Sequence, residues 1–188
     1  RAAGHVVLER DLPETDITQA IPAPDALDAV VHLAAVAAPD LCRREPGTAF
    51  AVNVLGTHNL LKMAVAAGAK RFIMASSAHV YNISPKYLPT DEQAPLAPFD
   101  TYTTTKLVSE RLCEAFWENY GLSYAALRLF NGYGPGQKVG YFIPDKILQA
   151  KTGNFELRGA QVTKDWVFID DVVQAYQLAL ESPFVGAI

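Results

Sequence analysis

Short apolar runs of strand length alternate along this chain with longer segments of helical period. The strand-length runs are residues 5–9, 29–34, 71–75 and 123–129, and the long helical segments are residues 48–67 and 102–120. Strands joined through helices cannot pair as hairpins, so they lie parallel with each crossover packed on a face of the sheet. An α/β fold with a parallel sheet follows. The first long helix comes after "EPG", opens on Thr48 as a cap and stops at Gly68. The second carries Val108, Leu112, Ala115 and Phe116 on one stripe and stops at Gly121.

Between strand and helix, the proline-rich residues 83–100 read as an irregular surface loop, and long loops in compact domains often carry function. Beyond residue 129 the alternation loosens. "NGYGPGQ" is a turn cluster, residues 143–151 a short helix, 155–157 and 166–169 short strands, and 171–180 a helix. No internal repeat or low-complexity tract is present.

With 188 residues, half of them apolar, the chain can bury a sizeable core as one domain. Its 16 basic residues are outnumbered by 20 acidic ones and cluster no further than Arg43 and Arg44, so no footprint for nucleic acid exists. Cys42 and Cys113 stand far apart without metal-ligand spacing, as expected of small buried hydrophobes in a reducing cytoplasm. No metal site is expected. The apolar stretch 29–39 is broken by His32 and falls short of the about 20 residues a bilayer requires. With no signal peptide visible, a cytoplasmic protein without a membrane partner is the expectation.

Ligands of open parallel sheets bind outside the carboxyl ends of the strands. Three ends qualify: Ala34, Ala35 and Val36, whose small side chains let a ligand approach the backbone; Ser76, Ser77, Ala78 and His79; and Asn131, Gly132 and Tyr133. Parallel strands laid side by side bring Ser77 to the start of the next helix, where Tyr102 and Lys106 stand four residues apart. Eight tyrosines and eight lysines would give roughly 0.3 such pairs by chance, so spacing alone decides nothing. Shared placement on a helix face does add chemistry. An ammonium near a phenol lowers its pKa from near 10 toward the range of a general base, and a serine hydroxyl can bond the same substrate oxygen.

Ser77 and "TYTTTK", in that order, resemble the extended short-chain dehydrogenase/reductases, and more narrowly the NAD-dependent sugar-nucleotide epimerase/dehydratase family. Five further segments match in the right order: "DAVVHLAA", "NVLGTHNLL", "RFIMASSAHVY", "LRLFNGYGPGQ" and "KDWVFIDDVV". The resemblance implies a Rossmann-like doubly wound parallel sheet, residues 1–130 forming part of an NAD-binding domain. Residues 131–188 would contribute to a small substrate-binding lobe and return to the core.

By the same resemblance, Tyr102 removes the proton of a sugar hydroxyl, the 4-hydroxyl of a nucleotide sugar, while hydride leaves that carbon for NAD. Lys106 holds the nicotinamide ribose and depresses the tyrosine pKa, and Ser77 bonds the reacting oxygen. Leu33, Ala34, Ala35, Asn53 and Ala75 would line the cofactor. Glu9 or Asp11 would take the adenosine ribose, with Arg10 between them leaving NADP open, and Asp16 and Ile17 would meet the adenine. For Asp16 a simple cap is the alternative. His79, Asn131 and Lys164 would meet substrate; Asn131 equally suits a plain turn, His79 a solvated side chain, and Lys164 stands where the family more often has arginine. Asp170 and Asp171 are better read as capping the next helix.

Where 4,6-dehydratases of the family carry an Asp-Glu pair, this chain reads Ala78 and His79, which lowers elimination chemistry below epimerase or reductase chemistry. The family's glycine-rich turn between first strand and first helix is absent. Gly132, Gly134 and Gly136 follow a late strand and lead into a loop, so they are no phosphate cradle. "RAAGHVV" resembles the end of the first helix entering the second strand, so the chain is expected to begin beyond the phosphate-binding turn, to lack parts of both sites, and to bind cofactor weakly alone. Three readings stand: a nucleotide-sugar 4-epimerase, an NAD(P)-dependent sugar or carbonyl reductase, and a non-catalytic binder of the same fold, the last disfavoured by the intact trio. A homodimer through the two long helices is the expected assembly.

Overall fold

In the computed structural model, which describes residues 4–82, 84–157, 159 and 161–188, β-branched and aromatic runs form the sheet at the expected places. Strands β1 (Ala29–His32), β2 (Arg71–Ala75) and β3 (Ser123–Leu127) pair in parallel, Val30 beside Phe72 and Phe72 beside Tyr124. Short helices α1 (Pro39–Arg44) and α2 (Pro46–Phe50) lead through a π-helical turn, Ala51–Leu55, into α3 (Gly56–Ala66). After β2 come two 3-10 turns, Ala78–Val80 and Pro85–Tyr87, then the 20-residue α4 (Thr101–Tyr120). Strand β4 (Asn131–Tyr133), α5 (Phe142–Lys151), β5 (Trp166–Phe168), α6 (Ile169–Glu181) and β6 (Gly186–Ala187) complete the chain.

Two compact units result. The first comprises Arg1–Arg128 with Pro183–Ile188, the second Leu129–Ser182. In the first, the order β1-β2-β3-β6 is all parallel. Alternate residues of a strand share a face, so Phe72, Met74, Tyr124 and Ala126 meet Leu61 and Ala64 of α3 and Cys113 and Phe116 of α4. Full burial of a side chain such as Phe72 is worth about 1.5–3 kcal/mol. Arg71 holds the last strand in place by donating to the Phe184 carbonyl and to Ser123 Oγ, both at 2.6 Å. In the second unit β4 and β5 pair in parallel, and Tyr133, Trp166, Phe168 and Phe142 form an aromatic cluster, with Phe142 stacked on Trp166 at 5.4 Å.

Five expectations change. Residues 5–9 form no strand: they find no ladder partner among the described residues, and Val6 is 93% exposed. Residues 155–157 are likewise outside any strand, with Phe155 and Leu157 exposed. "NGY", read as turn, is strand β4, because β5 supplies the pairing that the local sequence does not reveal. The first long helix starts at Pro46 rather than Thr48, proline suiting a first-turn position where no N–H is needed. Ala115 is exposed, off the buried stripe of α4. Both cysteines are unpaired and buried, and no helix among the described residues is long and apolar enough to cross a membrane. Residues 1–3 and Ile83 lie outside the described residues.

Candidate active site

The first turn of α4 is fixed by a reciprocal cap. Asp100 Oδ1 accepts from the Thr103 N–H at 2.7 Å, while Thr103 Oγ1 accepts from the Asp100 N–H at 3.2 Å. Tyr102 and Lys106 therefore occupy the first two turns of a well-anchored helix. Buried Lys106 donates from Nζ to the Ala75 carbonyl at 2.8 Å, and Nζ lies 5.9 Å from the centre of the Tyr102 ring. Burial pushes the ammonium down from 10.5 to about 8, with Cys42 and Glu110 acting the other way. At neutral pH the cation persists, and with one proton committed to Ala75 it retains two donors.

Ser77 follows β2 directly and is buried. Its Oγ accepts from the His79 N–H at 3.2 Å, capping the 3-10 turn, so the hydroxyl hydrogen remains for donation. The His79 side chain is exposed.

The end of β1 is equally constrained. Leu33 and Ala34 are exposed and Ala35 half-buried, while Val36 is pinned by the Asn53 side chain, Oδ1 accepting from Val36 N–H at 2.8 Å and Nδ2 donating to Val36 O at 3.1 Å. Asn53 Nδ2 also donates to Thr105 Oγ1 on α4 at 2.9 Å. The π-helical turn explains this reach. Within that turn the Asn53 carbonyl accepts from Thr57 Oγ1 at 2.5 Å and Ser109 Oγ at 2.7 Å. Asn53, expected to face cofactor, thus spends its side chain on locking the loop after β1 to the helix that bears Tyr102. His32 completes the seam, its Nε2 2.9 Å from Thr57 Oγ1. Burial and then the Lys106 charge push this imidazole down to about 3, so it is neutral.

Ile17 packs where Gly56 lacks a side chain; a Cβ there would lie 2.5 Å from Ile17 Cδ1. Asn59 Nδ2 secures the segment by donating to the Ile17 carbonyl at 2.9 Å. Asp16 Oδ1 accepts from the Thr18 N–H at 2.9 Å, forming a local turn rather than a helix cap. Glu9 and Asp11 are exposed, and Asp11 Oδ1 accepts from the Leu12 N–H. In the second unit, Asn131 Nδ2 donates to the Asp165 carbonyl at 2.9 Å, beside exposed Lys164. Gly134 makes room for Ile169, which explains one glycine of the cluster without any phosphate. Asp170 and Asp171 lie in the first turn of α6 but make no side-chain cap; their charges suit the helix dipole. No metal-ligand cluster occurs among the described residues.

A second buried network was not anticipated. Glu110, one turn beyond Lys106, receives the Ser76 hydroxyl and a bidentate Arg128, and Arg128 Nη1 donates to Tyr81 Oη at 3.0 Å. An acid four residues after Lys106, on the same helix face, was its only sequence signal.

The model of the NAD dependent epimerase/dehydratase family matches residues 2–187. A GDP-6-deoxy-D-mannose reductase of Pseudomonas aeruginosa is 32% identical over 174 residues, covering 88% of this chain and 57% of the relative. A UDP-glucose 4-epimerase of Halalkalibacterium halodurans is 28% identical over 190 residues, covering 91% and 56%. Among solved structures, RMD from Pseudomonas aeruginosa complexed with NADPH superposes with a TM-score of 0.85 at 29% identity, over 100% of this chain and 71% of that one. The chain thus spans little more than half the length of these two curated relatives.

Proposed function

The chain belongs to the NAD dependent epimerase/dehydratase family, and on that premise we propose that it serves a nucleotide-sugar 4-epimerase working by transient oxidation of a sugar carbon. The buried, still-protonated Lys106 one helical turn from Tyr102, bonded to the strand end that leads into Ser77, carries the reading. Tyr102 is the general base for the sugar hydroxyl, its phenolate favoured by the nearby ammonium. Ser77, already accepting from His79 N–H, donates a hydrogen bond to the reacting oxygen and keeps its proton. NAD, when bound, supplies the hydride acceptor and donor.

The residues present fit that cofactor. Exposed Leu33 and Ala34 leave the backbone open, Ala35 and Ala75 add small walls, and the two remaining Lys106 donors match a pair of ribose hydroxyls. Asp16 and Ile17 serve the adenine, and Glu9 or Asp11 its ribose. His79, Asn131 and Lys164 are the substrate contacts, with Lys164 supplying charge without a bidentate fork. Ala78 and His79 offer no carboxylate pair for elimination, which favours epimerisation over dehydration. Exposed Trp117 and Tyr120 on α4, with Phe50 and Leu55 before α3, support a homodimer through these helices.

A reductase is the second reading, favoured by the similarity to the GDP-6-deoxy-D-mannose reductase and to the NADPH complex. Full-length protein incubated with NAD or NADPH and a panel of nucleotide sugars, with products read by NMR, separates the two. An epimer formed without net cofactor change supports the first; stoichiometric consumption of reduced cofactor replaces it with the second. A 4-keto-6-deoxy product would sink both.

A further inference from the structure

Helix α4 grips the end of β2 twice. Lys106 takes the Ala75 carbonyl, and one turn later Glu110 takes the Ser76 hydroxyl. Both contacts precede Ser77. On its other side the 3-10 turn ends at Tyr81, whose hydroxyl accepts from Arg128 and whose ring lies 4.8 Å from the guanidinium carbon. Arg128 in turn donates through Nε at 3.0 Å and Nη2 at 2.6 Å to the two oxygens of Glu110. Ser77 therefore sits in a short segment held at both ends, and both holds converge on one buried carboxylate.

We propose that Glu110 is a positioning residue, fixing the Ser77 segment against α4 and balancing the Lys106 cation. This rests on the catalytic reading of Ser77 and Lys106. A buried ion pair adds little net stability over an apolar pair of equal volume, but an apolar pair could neither accept the Ser76 hydroxyl nor oppose a charge. The groups facing Lys106 are Tyr102 and Glu110 from α4, Cys42 from α1 and His32 from β1, with Arg128 at the end of β3 behind Glu110. His32 is neutral at working pH, and burial pushes the Cys42 thiol up, which leaves Glu110 as the carboxylate that opposes the cation whichever form Tyr102 takes during the reaction. Losing its charge also leaves Arg128 uncompensated. Both changes make the Lys106 ammonium harder to keep.

Full-length Glu110→Gln and the milder Ser76→Ala test this. Carbon-13 methylated lysines followed by NMR report the Lys106 titration directly: it should fall by about one pH unit in Glu110→Gln and stay in place in Ser76→Ala. Amide exchange across residues 76–81 should quicken in both. Where turnover is measurable, kcat should drop by about 10 to 100-fold with KM unchanged, as misplacement of a reacting group predicts. Adding Arg128→Gln to Glu110→Gln should return the titration part way, which a merely structural loss would not do. An unmoved titration in folded Glu110→Gln overturns the proposal. Should that variant not fold, unchanged exchange and kcat in Ser76→Ala overturn it. A wild type inert toward every nucleotide sugar defeats the functional reading alone, since titration and exchange need no substrate.

Discussion

Helices α4 and α5 show opposite uses of the same element. In α4, Thr103, Thr105, Lys106, Ser109 and Glu110 are polar and buried, and each has a hydrogen-bond partner. In α5 no residue is buried, and Phe142, Ile147 and Leu148 are exposed. Polar side chains buried in α4 must each find a directed partner or lose about 1–3 kcal/mol apiece, so they fix its position to within a bond length. Apolar contact around α5 is non-directional and sets no such constraint. Chemistry is therefore expected to be sensitive to α4 and adaptation to be cheap at α5.

Exchange at the reacting end of α4 should break this contrast most severely: Tyr102→Phe is expected to cut turnover by about 100 to 10,000-fold, with the melting temperature unchanged by thermal scan. Undiminished turnover would remove Tyr102 from the mechanism. Next in size is the apolar support, where Phe72→Ala should cost about 3–5 kcal/mol by denaturant titration, against less than about 1 kcal/mol for Ile147→Ala, 53% exposed on α5. Equal costs would erase the distinction between the core beneath α4 and the exposed face of α5.

Acidity sharpens it further. Activity that needs the Lys106 cation should fall tenfold per pH unit above about 8, while its contribution to stability rises from there toward 10.5, because the unfolded state then binds the extra proton. His32 has the same sign in an acidic window. Its folded value near 3 lies below the unfolded 6.5, so stability should decline as pH falls from about 6.5 toward 3, and His32→Gln should flatten that limb in equilibrium unfolding. A comparably small effect is expected elsewhere in the second unit, where Phe142→Leu removes a stacked ring worth about 0.5–1.5 kcal/mol.

What was legible in the sequence follows from the range of the forces involved. Strands β1, β2 and β3 and nearly all of α4 announce themselves through local periodicity and through Gly121 at the helix end, left-handed at φ +69°. Residues 5–9 carry the same local signal yet form no strand, since a ladder depends on a partner elsewhere. Strand β4 shows the converse: "NGY" has turn composition, and β5, over 30 residues on, makes it a strand. The pairing of Glu110 with Arg128 required knowing that β3 lies beside β2. Ser77, Tyr102 and Lys106 were nameable because strand order and helix spacing were joined to a family resemblance that gave them roles, whereas the locking role of Asn53 depends on a helical irregularity that apolar periodicity cannot report.

That irregularity, the π-helical turn of Ala51–Leu55, also takes up one extra residue. An α-helix advances about 100° per residue, and the bulge absorbs that step, so deleting one residue there would restore ordinary pitch and close the bulge from which Asn53 projects. Asn53 would swing away from Val36, although every substitution-tolerant position nearby kept its identity. This segment should therefore accept changes of residue far more readily than changes of length.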